Sequence, residues 1–368
     1  MNELVRCAVL ATILFGAALP VMEANDSAAS TGAGGIQLRR EANVSMEKEV
    51  LTISEAKVTV EYEFLNESDQ DITTDVAFPI PAYGNGFVDP AGRREFGDFH
   101  LWIEGKPLKY ATDARASLNG KDQTEVLSNL GIDIASLGHY GDNAKSEPTG
   151  QVNSLSPDAR EQLLRLGLVS GADGPRPWEP LWKVSKTYYW TQTFPAHKIL
   201  HVRHEYTPAV GIEEMQPDTL DPGVRKERLS ALKTKAHSPA DTFKGKSPAA
   251  LEELYNAIDN SCVAPSLQKT IVDEAAKKYK SSEDSITMIW VDYILTTASS
   301  WKTPIKDFTL IVDSRPAPIL GRVKPYAAFC WDGETKKLDA SRVQAHAVNF
   351  VPKKELRVAF FSLPEVPE

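Results

Sequence analysis

Residues 58–81 read VTVEYEFLNESDQDITTDVAFPIP, and this stretch constrains the fold more than any other part of the chain. Apolar and polar residues alternate from Val58 to Phe64, as in a β-strand with one buried and one exposed face. A polar turn follows at 66–71. A second strand then ends at Phe78-Pro-Ile-Pro81, because proline has no N–H to donate to a neighbouring strand. The stretch therefore predicts the edge of a β-sandwich.

Two later segments repeat the alternating pattern. Residues 186–194 (KTYYWTQTF) and 199–206 (ILHVRHEY) are predicted strands, and we expect both to pair with the N-terminal sheet. Before them, residues 100–103 (HLWI) predict a strand that ends in a hairpin-like turn at Glu104-Gly105. Residues 112–180 instead carry leucines at helical spacing and a Ser-Pro helix start, so they predict a helical insertion.

The C-terminal third combines predicted helices with predicted strands. Helices are expected at about 248–260 and 266–280, and strand-like segments dominate from 286 to 362. The sequence thus predicts a mainly β fold with α insertions (α+β). The predicted organisation is a signal peptide (1–24), an N-terminal antiparallel β-sandwich domain (25–212) with its helical insertion (112–180), a linker (213–246) and a C-terminal domain of helices and a β-sheet (247–368).

The first 24 residues have the features of a secretory signal peptide. Arg6 supplies a positive charge, residues 7–20 are apolar, and Ala24 is the preferred cleavage point, with an unusually large Met22 at the −3 position. An uncleaved N-terminal anchor is the alternative, but the apolar run is shorter than the ~20 residues of a spanning helix. No later stretch is apolar enough to span a membrane. The sequence therefore predicts a periplasmic or secreted protein.

Composition and motifs narrow the classes of function. Hydrophobic residues make up 42% and charged residues 25% of the chain, which is typical of a folded globular protein. The net charge is −9, and Lys and Arg are scattered without a basic stripe, which argues against a nucleic-acid partner. The motifs G-x-S-x-G, H-E-x-x-H, G-x-x-x-x-G-K and G-x-G-x-x-G are absent. The sequence therefore predicts no cofactor and no catalytic residue.

Two cysteines remain after removal of the leader, Cys262 and Cys330. In an oxidising compartment they allow a single intrachain disulfide, which would stabilise the fold by about 4 kcal/mol through loop closure. Two separately buried thiols are the alternative. Neither cysteine has a close Cys or His neighbour in sequence, so a cysteine-based metal site is not expected.

Three acidic residues and three histidines are candidates for metal binding. Asp69, Asp71 and Asp75 lie in or after the polar turn and are a weak Ca²⁺ candidate, although a solvated hairpin tip explains their charges equally well. His197 falls in a turn, and His201 and His204 point to opposite faces of one strand, which makes them poor joint ligands. We expect His204 to be a surface residue with a salt-bridge neighbour.

Aromatic residues provide the clearest candidate for a binding surface. Tyr188 and Trp190 share one face of a predicted strand, and Trp178 and Trp182 precede it on an irregular connector. These four side chains could form a platform for sugars, peptides or a partner protein. The alternative is that they pack at the junction between the sheet and the helical insertion.

Short motifs in a fixed order cover almost the whole chain after the leader. They are Ala24-Asn-Asp-Ser-Ala28, Phe64-Leu-Asn66 with Phe78-Pro-Ile-Pro81, Leu155-Ser-Pro157 with Gly167-Leu168, Tyr188-Tyr-Trp-x-Gln-x-Phe-Pro195, His204-Glu-Tyr-Thr-Pro208 with Val210-Gly211, Tyr293-Ile-Leu-Thr-Thr-x-x-x-Trp301, Asp307-Phe-x-Leu-x-Val-Asp313 and Phe329-Cys330. In this set the chain resembles bacterial exported proteins of the family known as domain of unknown function 4424. The resemblance implies an envelope or secreted location, an N-terminal β-rich domain, a C-terminal region with both cysteines, and no known reaction. Residues 64–81 are also similar, as a fold analogy only, to VIT-type β modules.

These observations predict an exported, non-catalytic binding or structural protein of unknown specific role. They do not identify its partner, for which an envelope protein and a polysaccharide are the candidates. The alternatives are an exported hydrolase with a dispersed active site and an envelope assembly subunit with an open sheet edge. A deep pocket with a buried, hydrogen-bonded histidine and carboxylate would favour the hydrolase. A shallow, exposed aromatic surface would favour binding.

Overall fold

The computed structural model of the protein describes most of the chain. The predicted signal peptide, residues 1–24, lies outside the described residues and stays a prediction. The described residues are 27–32, 35–84, 87–88, 98–136, 148–170, 178–233, 248–278, 285–316 and 324–363.

Strands dominate this structure, which confirms the predicted mainly β fold with α insertions. The strands are β1 (Ser27–Gly32), β2 (Gly35–Arg39), β3 (Val44–Ile53), β4 (Val58–Asn66), β5 (Ile72–Pro79), β6 (Tyr83–Gly84), β7 (Phe87–Val88), β8 (His100–Ile103), β9 (Lys106–Pro107), β10 (Ala111–Leu118), β11 (Lys121–Asp122), β12 (Val169–Ser170), β13 (Glu179–Pro180), β14 (Lys183–Phe194), β15 (Ile199–Tyr206), β16 (Val210–Met215), β17 (Ile286–Tyr293), β18 (Ile305–Asp313), β19 (Lys324–Phe329), β20 (Thr335–Lys337), β21 (Arg342–Phe350) and β22 (Leu356–Leu363). The helices are α1 (Thr124–Asn129), α2 (Pro148–Ser154), α3 (Pro157–Arg165), α4 (Pro222–Lys233), α5 (Pro248–Asp259) and α6 (Pro265–Lys278), with 3₁₀ turns at Ile134–Ser136, Pro217–Leu220 and Thr296–Ser300.

Three multi-stranded sheets contain nearly all of these strands. Sheet I has the order β11-β10-β14-β5-β1-β2, with β6 beside β14. Sheet II has the order β20-β21-β18-β3-β4-β15-β8-β9, and sheet III has the order β19-β22-β17-β16-β7. All strand pairs in these sheets are antiparallel except β3 and β18, which run parallel. The short strands β12 and β13 pair separately.

The stretch that opens the sequence analysis forms strands in both layers of a sandwich. The inward side chains of β4, from Val58 to Phe64, are at most 2% exposed, and the side chain of Glu61 between them is exposed. β4 belongs to sheet II, whereas β5 belongs to sheet I. The polar turn therefore crosses from one layer to the other and is not the tip of a hairpin. Each strand can thereby bury its apolar face against the opposite sheet.

The two strands predicted to rejoin the N-terminal sheet do so in different layers. β14 pairs with β5 over eight residues, and β15 pairs with β4 from Ile199 to Tyr206. This pairing confirms the prediction and places the aromatic side chains of β14 opposite those of β15. The two sheets pack against each other through a core rich in aromatic side chains, in which the ring centroids of Phe64 and Phe194 are 5.8 Å apart.

A second apolar core lies between sheet III and the C-terminal helices. It contains Leu254 and Ile258 of α5, Ile271 of α6 and Phe361 of β22. A disulfide joins Cys262, just after α5, to Cys330 at the end of β19, with the Cα atoms 4.9 Å apart. The predicted cysteine pairing is therefore present, and it fastens the helices to an edge of sheet III. No helix in the described ranges is both long enough and apolar enough to cross a membrane.

Two segments differ from the elements expected from the sequence. β10 includes residues 112–118, which were expected to belong to the helical insertion, because β14 extends far enough to pair with β10 from Ala111 to Ser117. Residues 222–233 form α4 within the predicted linker. Arg225 of α4 is 6% exposed and donates hydrogen bonds to the carbonyl oxygens of Thr219 and Leu220. Strand pairing and burial thus determined the structure of these two segments, whose composition gives only a weak local preference for helix or strand.

Strands from both predicted domains share sheet II. β18, from the predicted C-terminal domain, pairs with β3 from Asp307 to Val312. Its inward side chains Phe308, Leu310 and Val312 join the same core as β4. The division into residues 25–212 and 247–368 stays a prediction as far as independent folding is concerned.

Candidate ligand-binding cleft

A surface cleft opens at the outer hairpin of sheet II. β8 and β9 are joined by Glu104 and Gly105, whose φ angles of 50° and 72° fit the tight turn predicted at this dipeptide. After Pro107, the N–H of Leu108 still donates a 2.9 Å hydrogen bond to the carbonyl oxygen of Leu101, and residues 98–102 and 107–110 line a cleft of about 490 Å³.

Aromatic rings form the floor of the cleft. Phe99 is 2% exposed and stacks on Tyr188 of sheet I, with ring centroids 4.1 Å apart and planes at 8°. Tyr110 meets both rings edge-on, and its Oη donates a 2.6 Å hydrogen bond to the carbonyl oxygen of Phe99. Burial, with a smaller contribution from nearby Asp98, raises the pKa of Tyr110. Its hydroxyl therefore remains protonated and holds the floor together.

The rim of the cleft carries one large aromatic ring and several charged groups. The guanidinium of Arg203 lies 4.7 Å from the ring centroid of Trp102, because the two residues are directly opposite on β15 and β8. His100 Nε2 lies 3.0 Å from Asp98 Oδ1, and both side chains are about half exposed. Lys109 is exposed on the other wall. The rim thus offers hydrogen-bonding groups on both sides of an apolar floor.

Behind the floor, His204 is enclosed by aromatic rings. Its ring centroid lies 4.8 Å from Phe78, 5.2 Å from Phe99 and 5.3 Å from Trp190. It is 0% exposed, and burial lowers its pKa to about 3. The expectation that His204 is a surface residue was wrong. The period of two places His204 on the same inward face as Val202 and Tyr206, and this signal could have identified its burial.

The predicted aromatic platform is mostly part of the core. Trp182, Tyr188 and Trp190 are 1–5% exposed, and Trp178 is half-buried against the same core. Tyr188 and Trp190 do not present an exposed face, because β14 lies in the middle of sheet I with sheet II packed over it, and Trp182 is buried just before this strand. Among them, Tyr188 contacts the cleft floor from below through its stack with Phe99.

Sequence reasoning missed Phe99, Trp102 and Tyr110 as a possible site. They are separated along the chain and belong to no recognised motif. The available signal was local: in the HLWI strand, Trp102 occupies a face that alternation predicts to be exposed. A tryptophan on the outward face of a strand, next to a tight turn, is unusual enough to indicate a binding surface.

The acidic candidates for a metal site are used as hydrogen-bond acceptors. Oxygens of Asp69, Asp71 and Asp75 lie 2.8 Å from His197 Nε2, the Ala196 N–H and Thr191 Oγ1, respectively. These contacts fasten the polar turn to β14 and to the turn that follows it. Within the described ranges, no group of three His, Cys, Asp or Glu side chains could hold a metal ion.

Several histidine–carboxylate pairs lie at the surface of the described part of the chain. Besides the pair at the cleft rim, His201 contacts Glu104 at 3.2 Å and His346 contacts Asp307 at 3.1 Å, and all four of these side chains are about half exposed. These pairs are solvated surface contacts. The site found here is a shallow cleft with an aromatic floor, which is the arrangement that favours binding.

Comparisons with known proteins identify a family and no activity. The family model described as Domain of unknown function (DUF4424) matches residues 24–359. No curated protein matches the sequence. A similar solved structure is that of a "putative nutrient binding protein" from Legionella pneumophila subsp. pneumophila str. Philadelphia 1. It is 12% identical, with 92% of this chain and 70% of that chain covered and a TM-score of 0.40. Similarity this low carries no information about the ligand of this chain.

Proposed function

Because this chain belongs to the family of domain of unknown function 4424, we propose its function from the geometry of the cleft: it is an exported binding protein that holds a saccharide between β8 and residues 107–110. The family name assigns no reaction. The proposal therefore depends on the chemistry of the side chains that line the cleft.

One observation carries the proposal, namely the combination of an aromatic floor with a polar rim. A sugar ring has an apolar face of C–H groups and an edge of hydroxyl groups. The C–H face of a sugar can pack on the partly exposed apolar surface of Trp102, Leu108 and Tyr110. Its hydroxyl groups can form hydrogen bonds with Asp98, His100 and Lys109. Sites of this kind bind small polar ligands through apolar contact and a few oriented polar groups.

Export is the second part of the proposal. The N-terminal leader pattern, with cleavage expected near Ala24, supports it. The disulfide between Cys262 and Cys330 also supports it, because structural disulfides persist in oxidising compartments outside the cytosol. Intact-mass analysis of the protein recovered from the periplasm or medium should show loss of the leader. A retained leader, or recovery from the cytosol alone, would contradict export.

Calorimetric titration with a panel of oligosaccharides tests the binding function. We expect at least one to bind, and Trp102→Ala to weaken that binding about tenfold, since a lost aromatic contact costs on the order of 1 kcal/mol or more. The matched control is Trp178→Ala, another half-buried tryptophan that lies outside the lining of the cleft. Equal affinities of Trp102→Ala and the parent protein would refute the assignment of the cleft.

The same samples distinguish binding from the alternative of a hydrolase. We expect each bound oligosaccharide to be recovered at its original length after prolonged incubation, as checked by chromatography. Shortened products that disappear in the His100→Ala variant, but not in His346→Ala, would favour an exported hydrolase. The two variants are matched because both remove a half-exposed histidine that contacts a carboxylate.

A further inference from the structure

The ring of Trp102 at the cleft rim has a cationic neighbour on the adjacent strand. Arg203 of β15 lies directly opposite Trp102 of β8 and, on its other side, directly opposite Glu61 of β4. Its guanidinium is 4.7 Å from the centroid of the Trp102 ring, within the range in which a cation and an aromatic ring attract each other. The residues that line the cleft include Trp102 and not Arg203. An effect of Arg203 on a bound saccharide therefore has to pass through Trp102.

A chain of charged groups holds the guanidinium in place. Arg203 Nη2 donates a 2.7 Å hydrogen bond to Glu205 Oε2, and Arg203 Nε lies 3.6 Å from Glu61 Oε1. The other carboxylate oxygen of Glu205 contacts the ammonium group of Lys57. Because the planar guanidinium is bound to carboxylates on two strands, few rotamers of Arg203 keep all of its contacts. The position of the cation beside the indole ring is therefore fixed by the sheet itself.

This arrangement matters for binding because Trp102 is only partly buried. A partly exposed side chain that becomes ordered when a ligand binds loses conformational entropy, and this loss weakens the affinity. A side chain that is already ordered in the free protein avoids most of the loss. An attractive contact that restrains the indole ring before the ligand arrives should therefore strengthen binding without touching the ligand.

We propose that Arg203 is a positioning residue of the cleft, which holds the ring of Trp102 in the orientation that receives the sugar. This inference rests on the proposed saccharide-binding function and adds the residue that prepares the binding surface. Lys57 and Glu205 act one step further away, because they hold Arg203.

A double-mutant cycle tests whether Arg203 acts through Trp102, with cellotetraose, mannotetraose and maltotetraose as probes. Arg203→Ala should weaken the binding of a tetrasaccharide about threefold in the parent protein, because the ring then has to be ordered on binding. In the Trp102→Ala protein the same change should have no effect. An equal loss in both proteins, or no loss in the parent, would overturn the inference.

Arg342→Ala is the matched control for the loss of an exposed, ion-paired arginine. The side chains of Arg203 and Arg342 are 41% and 45% exposed, and Arg342 contacts Asp339 on a strand that does not line the cleft. Both variants should melt within a few degrees of the parent protein. Only Arg203→Ala should change the affinity. The same loss of affinity in Arg342→Ala would assign the effect to general surface charge and overturn the inference.

A measurement without saccharide tests the restraint on the ring directly. The protein has seven tryptophans, and in protein labelled with 5-fluorotryptophan the ¹⁹F resonance of Trp102 is the one that Trp102→Phe removes. In Arg203→Ala this resonance should become narrower and move toward that of the free amino acid, because the ring gains mobility. In Arg342→Ala it should stay unchanged. An unchanged width in Arg203→Ala would show that the ring is held without Arg203.

The two readouts separate this inference from the proposed function. If the resonance of Trp102 narrows but no tetrasaccharide binds the parent protein, the restraint by Arg203 is confirmed and the saccharide function is refuted. If Trp102→Ala weakens binding but Arg203→Ala changes neither the affinity nor the resonance, the saccharide function stands and the positioning role is refuted.

Discussion

Burial in the core changes the protonation chemistry of a single residue. His204 is the clearest case, because the same residue type is half exposed at positions 201 and 346 and fully buried at 204. In an enclosure of aromatic rings, the imidazolium form loses its hydration and the neutral form is favoured. His204 therefore links the stability of the sandwich to pH.

The protein should lose stability as the pH falls below the usual histidine pKa of 6.5. The unfolded chain binds the His204 proton near that pH, whereas the folded protein does so only near a pKa of about 3. Between these values the unfolded state binds more protons, so the free energy of unfolding from this residue falls by about 1.4 kcal/mol per pH unit. Urea denaturation at pH 7, 6, 5 and 4 measures this slope.

Replacement of His204 isolates its contribution from other titrating groups. His204→Phe, which keeps an aromatic ring, should flatten the dependence by about 1.4 kcal/mol per pH unit relative to the parent protein. His346→Gln, at an exposed strand position, is the control for removal of a surface imidazole. The interpretation would be abandoned if His204→Phe and the parent protein lose stability in parallel.

Within sheet III, one glycine leaves room for a large side chain on the neighbouring strand. Gly211 of β16 lies directly opposite Trp290 of β17, and the indole ring covers the space where a Cβ would project. The guanidinium of Arg357 lies 5.9 Å from the Trp290 ring centroid. The small residue is therefore required by the packing of a cross-strand neighbour and not by backbone conformation.

Gly211→Ala should lower the free energy of unfolding by about 3 kcal/mol, at the upper end of the range for overpacked sites, because the indole ring must move. Gly84→Ala is the control, since its Cβ would meet nothing closer than Lys183 Cγ at 3.6 Å, and its effect should be near zero or slightly stabilising. Denaturant titrations measure both. Similar stabilities of the two variants would show that sheet III accommodates the methyl group without cost.

The disulfide acts between elements, because it joins the α5–α6 region to β19 across a sequence separation of 68 residues. Replacement of Cys262 and Cys330 by serine should lower the free energy of unfolding by about 4 kcal/mol, mainly because the unfolded chain gains conformational entropy when the cross-link is removed. Thiol titration of the denatured parent protein should find no free cysteine among the two. Two titratable thiols in protein purified without reductant would contradict the pairing.

At the scale of the whole molecule, the parallel pairing of β3 with β18 links the N-terminal and C-terminal parts of the chain. It is the point where residues from the beginning and the end of the chain complete one sheet. Without β18, β3 would present an open edge, and the core would lose four buried apolar side chains, those of Ile305, Phe308, Leu310 and Val312.

The fragment 25–212 tests whether the first predicted domain folds alone. We expect it to aggregate or to lack a cooperative thermal transition, because the edge of β3 and part of the core are then uncovered. Circular dichroism melting and size-exclusion chromatography of this fragment, beside the mature full chain, provide the measurement. A monomeric fragment with a cooperative transition would support independent folding of the predicted domain.

The sequence by itself determined the local character of this protein. Alternation located β4, β5, β14 and β15, and the count of cysteines after the leader left one possible intrachain pairing. These features are readable because they depend on the period of a strand and on composition. The order of motifs also indicated the family, which the match over residues 24–359 confirms.

Only the tertiary structure decided which faces are buried and which residues meet. It placed Tyr188 and Trp190 in the core but Trp102 at the surface, although all three lie on strands with alternating patterns. It also brought β18 beside β3 and opened a cleft where β9 ends. Alternation specifies that one face of a strand is buried, but the neighbouring strand and the covering layer depend on how the entire core is filled.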